Sequence, residues 1–183
     1  MSKVKRLVDA YSSYISIPWR EDTAPAQRVV FCVYNENDEL RLRAKIEEFE
    51  IATIQASHDW HLFDLTNTFA VWLLSQKYSE KYFLKPDLIR TLLPKYSDYL
   101  TKSFTEFCLQ KHADENSVVC LMGVGSLFGL VKVKEVVDNF SPVVPGKLLV
   151  LFPGSYENNN YRLLDGYDGW NYLAVPLTAD SKY

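Results

Sequence analysis

The chain has 183 residues, 48% of them hydrophobic, which is enough to bury a substantial core; one domain spanning 1–183, with a helical insertion, is expected. A formal net charge of −3 argues against a protein devoted to non-specific phosphate binding, which needs a clear excess of Lys and Arg, so direct nucleic-acid binding is expected to be weak or absent. The apolar run VVCLMGVGSLFGLV holds three glycines in 14 residues, short of the roughly 20 that cross a bilayer; with no secretory signal at the N-terminus, a cytoplasmic protein is expected.

In chain order, Val4, Leu7, Val8, Tyr11, Tyr14 and Ile15 recur at helical spacing. They predict an amphipathic helix over 3–15 that stops before Pro18. The run QRVVFCVY, Gln27 to Tyr34, reads as a strand buried on both faces. Leu40, Ala44, Ile46, Phe49 and Ile54 predict one helix from Asp38 to about Ser57. A second strand is expected at Trp60 to Leu65. Thr66 or Asn67 would cap a helix to about Tyr78, and two further helices interrupted near Pro86 and Pro94 complete a helical crossover over about 67–112. Ser117 to Met122 predicts a third strand, running through Gly123, Val124, Gly125 and Ser126 into a helix that reaches about Asn139. Lys147 to Phe152 gives a fourth strand. Tyr161 to Leu164 and Trp170 to Pro176 read as short strands joined by a DG-containing turn, a terminal hairpin or edge addition. Strands alternating with helices predict an α/β fold: a mainly parallel sheet flanked by helices, a Rossmann-like three-layer arrangement with the helical crossover inserted.

The glycine turn offers backbone N–H groups at a presumed helix start, so Gly123, Gly125 and Ser126 are candidates for a ligand loop. Against that, Lys132 lies seven residues beyond Gly125, too far for a Walker loop, and the glycines fall as GxGxxxG rather than as the dinucleotide fingerprint. The plainer reading is a tight turn with close strand-to-helix packing, and Ser126 as a helix cap. Neither a nucleophile elbow nor a metal set accompanies His58, His61 and His112. No catalytic residue, metal ligand or cofactor is therefore assigned. Asp64, Asp165 and Asp168 would stage magnesium chemistry only if they converged, and turn aspartates are common. Cys32, Cys108 and Cys120, odd in number and set in apolar contexts, read as buried free thiols.

Two segments suit protein recognition. Trp19 and Arg20 follow Pro18 in IPWR, although a tryptophan packed back onto the core is an equal reading. Tyr156, Glu157, Asn158, Asn159, Asn160 and Arg162 form a dense polar and aromatic loop after the fourth strand. Its asparagines serve either a partner or the backbone where the chain changes direction, with Arg162 pairing Glu157 or Asp165.

The segments IPWR, RVVFCVYN, RLRAKIEEFEIAT, HDWHLFDLTNTFAVWL, GVGSLFGLVKV and, above all, LFPGSYENNNYRLLDGYDGWNYLAVPL resemble the BrxB family of BREX bacteriophage-defence systems over nearly the whole chain. The resemblance implies a small cytoplasmic subunit encoded with a PglZ-type protein of the phosphatase superfamily, a large AAA-type ATPase, a DNA adenine methyltransferase and an RNA-binding-like protein. It brings no catalytic residues to this chain. The expectation is a non-catalytic adaptor that binds the PglZ-like subunit first and the ATPase second. The alternative is a nucleotide- or nucleic-acid-responsive domain whose glycine turn meets the Glu157 to Arg162 loop at the C-terminal sheet edge. A degenerate nuclease or phosphodiesterase built on Asp64 is a third reading.

Overall fold

The computed structural model describes residues 2–20, 23–164, 166 and 170–183. Helix α1, Lys3–Ile15, begins where the Ser2 hydroxyl accepts the Lys5 N–H, and it buries Val4, Leu7, Val8, Tyr11 and Ile15. Strand β1, Val29–Tyr34, is buried at every residue, as its unbroken apolar run requires. The next helical stretch is two helices rather than one: α2, Glu39–Arg43, and α3, Ile46–Gln55. At the junction the Ala44 N–H donates to the Leu40 carbonyl at 3.1 Å and the Lys45 N–H to the Leu42 carbonyl at 2.8 Å, closing a tight turn that changes the helical phase. Leu42, Phe49, Ala52 and Thr53 therefore face the core, while Leu40 and Ile54 of the expected stripe are exposed.

Strand β2, Asp59–Asp64, leads into the crossover helices α4, Thr68–Leu74, and α5, Ser79–Leu84, then a 3-10 stretch, Pro86–Leu92, and α6, Leu93–Gln110. Pro94 sits in the first turn of α6, where its missing N–H costs no bond. Strand β3, Ser117–Met122, matches the expected span. No helix starts at the glycine turn, however. Val124–Leu127 is a single 3-10 turn, and α7, Val133–Phe140, begins with Lys132 at its cap. Ser126 lies inside the turn, its N–H donating to the Gly123 carbonyl, and caps no helix. The left-handed Gly123, φ 76°, and Gly129, φ 75°, bend the chain before helical geometry can propagate.

Strand β4, Lys147–Glu157, is longer than expected because it changes partners: through Pro153 it pairs with β1, and from Gly154 it forms an antiparallel hairpin with β5, Asn160–Leu163. Of the expected pairing between Tyr161 to Leu164 and Trp170 to Pro176, the described residues show one antiparallel bridge, Tyr161 with Trp170, and the β4–β5 hairpin adds to it. Its turn is Asn158–Asn159, left-handed at both residues with φ 51° and 63°, as a two-residue type I′ turn demands. The DG-containing segment falls mostly on residues outside those described. Strand β6, Val175–Leu177, instead adds to β1 in parallel, as an edge strand.

Among the described residues the sheet runs β2-β3-β4-β1-β6, with β5 attached to β4. Helices cover both faces. On one, α1, α2 and α3 pack on Val30, Cys32, Val118, Cys120, Leu149 and Leu151; on the other, α4, α6 and α7 pack on Phe31, Val119, Leu121, Val150 and Phe152. The second face is held by aromatics, including Phe104 stacked on Phe140 at 3.9 Å. Ser97 of α6 donates to Glu135 of α7 at 2.8 Å, a part-buried polar tie. On the first face the buried Tyr11 hydroxyl meets Thr53 Oγ1 at 2.6 Å, and Thr53 in turn donates to the Phe49 carbonyl at 2.8 Å. The three cysteines are free and buried, as expected, and burial pushes the Cys108 thiol up to about 11.

Candidate functional sites at the two ends of the sheet

At the C-terminal end of the parallel strands a polar chain links three loops. The Tyr34 hydroxyl donates to Glu39, Arg43 Nε donates to the same carboxylate at 2.7 Å, and Arg43 Nη2 donates to Thr66 Oγ1 at 2.8 Å. Thr66 gives both its hydroxyl and its N–H, the latter at 2.9 Å, to Asp64 Oδ1. Burial, followed by the Glu39 carboxylate, raises the Tyr34 phenol far above its ordinary range, so it remains a donor. Asp64 is thereby committed to Thr66, and Asp165 and Asp168 lie outside the described residues. Among the described residues no cluster of three or more His, Cys, Asp or Glu side chains has the geometry of a metal site. The Glu39 to Arg43 spacing of four was the sequence signal for this chain of bonds; its extension to Tyr34 and Thr66 required the fold.

Gly123 abuts the same network. A Cβ there would stand 2.5 Å from Thr66 Oγ1 and 2.7 Å from Thr66 N, so glycine is required by contact as well as by φ. Gly125 is less constrained and packs beside Pro153 and Leu164 at the root of the hairpin. The glycine turn therefore meets the hairpin at its base. It does not meet the exposed Glu157 to Asn160 tip, several strand residues further out. Tyr156, Glu157, Asn158, Asn159, Asn160 and Arg162 do come together on the hairpin. Tyr156 leans on Tyr161 with centroids 4.6 Å apart and donates to Asn159 Oδ1 at 3.0 Å, and Asn160 Nδ2 donates to the Asn158 carbonyl at 3.3 Å. Arg162 stands opposite Ser155, two pairs inward of Glu157 and Asn160, and no ion pair joins it to Glu157. Tyr161 is fully buried against Phe31, Phe152 and Trp170, which anchors the hairpin to the core.

Trp19 and Arg20 lie at the opposite end. Trp19 stacks on His58 with ring centroids 3.8 Å apart, and Lys147 Nζ stands over the indole at 4.9 Å. His58 is itself held by Asn116, 2.6 Å away. With one face taken by an imidazole and an ammonium over the ring, Trp19 is a fixed wall; the exposed side chain of the pair is Arg20. Together with Arg28 and Lys147 these residues line a cleft of about 670 Å³ beside the starts of β1 and β4.

A surface that composition did not reveal lies on the crossover. Val71, Leu74, Tyr78, Phe83 and Leu84 are all exposed, Leu84 by 82% and Phe83 by 58%. Helix α5 has no fully buried residue, and its half-buried Tyr82 packs against the core. On sequence alone the helical period of α4 could be seen, but α5 is too short for its apolar residues to reveal which way they face.

The fold and these sites define a three-layer, doubly wound α/β protein that carries an exposed apolar helix on its crossover and a protruding hairpin on its central strand. The sequence model of the family described as BREX protein BrxB matches residues 70–176, more than half of the chain. The chain belongs to the BrxB family and so to BREX phage defence. No curated protein and no solved structure matches it. Among the described residues no helix is long and apolar enough to cross a membrane.

Proposed function

We propose that the protein is a non-catalytic adaptor of a BREX assembly, docking a larger co-encoded subunit, the PglZ-like protein first and the AAA-type ATPase second. The observation that carries this reading is α5. Helices of fewer than about 12 residues are marginal in water unless a face is buried. Ser79–Leu84 has six residues, is held to the core by the half-buried Tyr82 with no residue fully buried, and presents Phe83 and Leu84 outward. A partner that covers Val71, Leu74, Phe83 and Leu84 supplies the missing packing, in the manner of an aromatic and aliphatic hot spot.

The test is capture of each co-encoded subunit on the tagged chain, with sizing of any complex at low and high salt. An apolar contact predicts a complex with the PglZ-like subunit that survives high salt. Burying side chains of this size is worth about 1.5–3 kcal/mol each, so the Phe83→Ser/Leu84→Ser double variant should bind at least about a hundredfold more weakly while melting like the parent. Absence of any complex at either salt, or a complex indifferent to both substitutions, would refute the proposal.

A further inference from the structure

The cleft at the N-terminal end of the sheet is built around positive charge. Arg28 precedes β1, Lys147 opens β4 and Arg20 follows Trp19; the one acid lining the cleft among the described residues is Glu115, which is exposed. Arg28 and Lys147 are each half-buried, and neither forms an ion pair among the described residues. Among the described residues Lys147 Nζ meets the Tyr14 hydroxyl at 3.5 Å and the ring faces of Tyr14 and Trp19. Its ammonium is disfavoured by burial and then by Arg28, two like charges held side by side. Arg28 uses Nη1 and Nη2 to hold the Thr23 and Val144 carbonyls, both at 3.2 Å, which fixes its guanidinium in place. Arg28 Nε and Trp19 Nε1 are buried donors with no acceptor. Two of the three such atoms among the described residues thus belong to this one cleft.

Buried donors are normally satisfied, and adjacent buried cations are costly unless an anion lies between them. We infer that this cleft is a binding site for the phosphate groups of a small ligand of the nucleotide class. Clustered guanidinium and ammonium groups are the usual phosphate clamp. A cleft of about 670 Å³ is of the size that holds a small organic ligand. Because Trp19 is already packed against His58 and Lys147, it offers no platform for a base, so affinity should follow phosphate count rather than base identity. The site lies at the opposite end of the sheet from the glycine turn and shares no residue with α5.

The experiment is calorimetric titration of the full chain with pyrophosphate, AMP, ATP, GTP and a short single-stranded oligonucleotide, alongside Lys147→Gln and Arg20→Gln variants checked by circular dichroism. Lys147→Gln keeps a polar head at the cleft and removes no structural carbonyl contact, so folding is retained. The expected result is saturable binding, tighter for ATP and GTP than for AMP, equal between the two bases, and weakened at least tenfold by Lys147→Gln. Phe83→Ser/Leu84→Ser should leave it unchanged, which separates this site from the docking surface. Flat titrations at millimolar ligand, binding unaffected by either cleft variant, or binding confined to the oligonucleotide would each overturn the inference.

Discussion

The hairpin turn offers the sharpest test of what the asparagine triplet does. Asn158 and Asn159 hold φ of 51° and 63°, a region that costs an ordinary L residue about 1–2 kcal/mol and that asparagine and glycine tolerate best. Replacing both by alanine restores that strain, for a loss of roughly 1–2 kcal/mol overall, whereas replacing both by glycine removes it. The glycine pair forfeits the exposed Tyr156 to Asn159 hydrogen bond of 3.0 Å, and its net effect should stay within about 0.5 kcal/mol. For a chain of this length each kcal/mol moves Tm by about 2–4 °C. Thermal melts should therefore show Asn158→Ala/Asn159→Ala lower by roughly 2–8 °C and Asn158→Gly/Asn159→Gly close to the parent. Amide exchange on β4 and β5 reports whether the loss is confined to the hairpin. Equal destabilisation by both pairs would show that the amide side chains, rather than the left-handed backbone, hold the turn, and the reasoning would fail.

The two glycines after β3 should behave differently: Gly123→Ala, meeting Thr66 at 2.5 Å and 2.7 Å with φ 76°, should cost about 2–4 kcal/mol. Gly125→Ala, whose nearest contact would be Pro153 at 3.4 Å, should stay within about 1 kcal/mol in the same urea titration. Lys147→Met should stabilise the unliganded protein at pH 7, because burial and Arg28 lower the folded-state lysine pKa below 10.5. Between the folded value and 10.5 the unfolded chain holds the extra proton, so the parent gains stability as pH rises and the advantage of methionine shrinks toward pH 10. His61 on β2 has its imidazolium disfavoured chiefly by burial, below the ordinary 6.5. The unfolded chain takes that proton first, so stability should fall as pH drops through 6.5, and His61→Gln should flatten that limb of a pH-dependent melt.

The buried strands were legible because burial on both faces leaves no choice of residue: Val29 to Tyr34 and Ser117 to Met122 are apolar runs that no surface strand would carry. Long helices were legible for a related reason, as in α1, where the apolar stripe and the stop before Pro18 agree. The failures lie where backbone geometry overrides side-chain pattern. Ala44 and Lys45 carry no helix-breaking signal, yet a tight turn there shifts the stripe from Leu40 to Leu42. The β4–β5 hairpin was not expected because its Asn158–Asn159 turn uses two left-handed asparagines and carries no glycine. Trp19, Arg20 and the hairpin residues could be picked out by chemistry, but the sequence did not reveal that the sheet separates them end from end. The cleft escaped notice because Arg28 and Lys147 stand 119 positions apart in sequence numbering, each the flank of an ordinary strand.

In open parallel sheets ligands ordinarily bind beyond the C-terminal ends of the strands, and the contrast between the two ends of this sheet argues that the chain has reversed that use. At the C-terminal end, among the described residues, the polar side chains beside the glycine turn bond to one another. Asp64 accepts from Thr66, Thr66 from Arg43, and Glu39 holds Arg43 and Tyr34. Gly123 is pressed against Thr66 too closely to admit even a methyl group, and β4 continues past the sheet as a hairpin anchored by Tyr161. That network ties the loops to one another. At the N-terminal end the balance is opposite: two buried donors lack acceptors and two half-buried cations lack a described carboxylate. An arrangement that satisfies one end and leaves the other electrostatically open is costly for folding alone. It becomes favourable if the open end is completed by an anion that the chain does not itself supply.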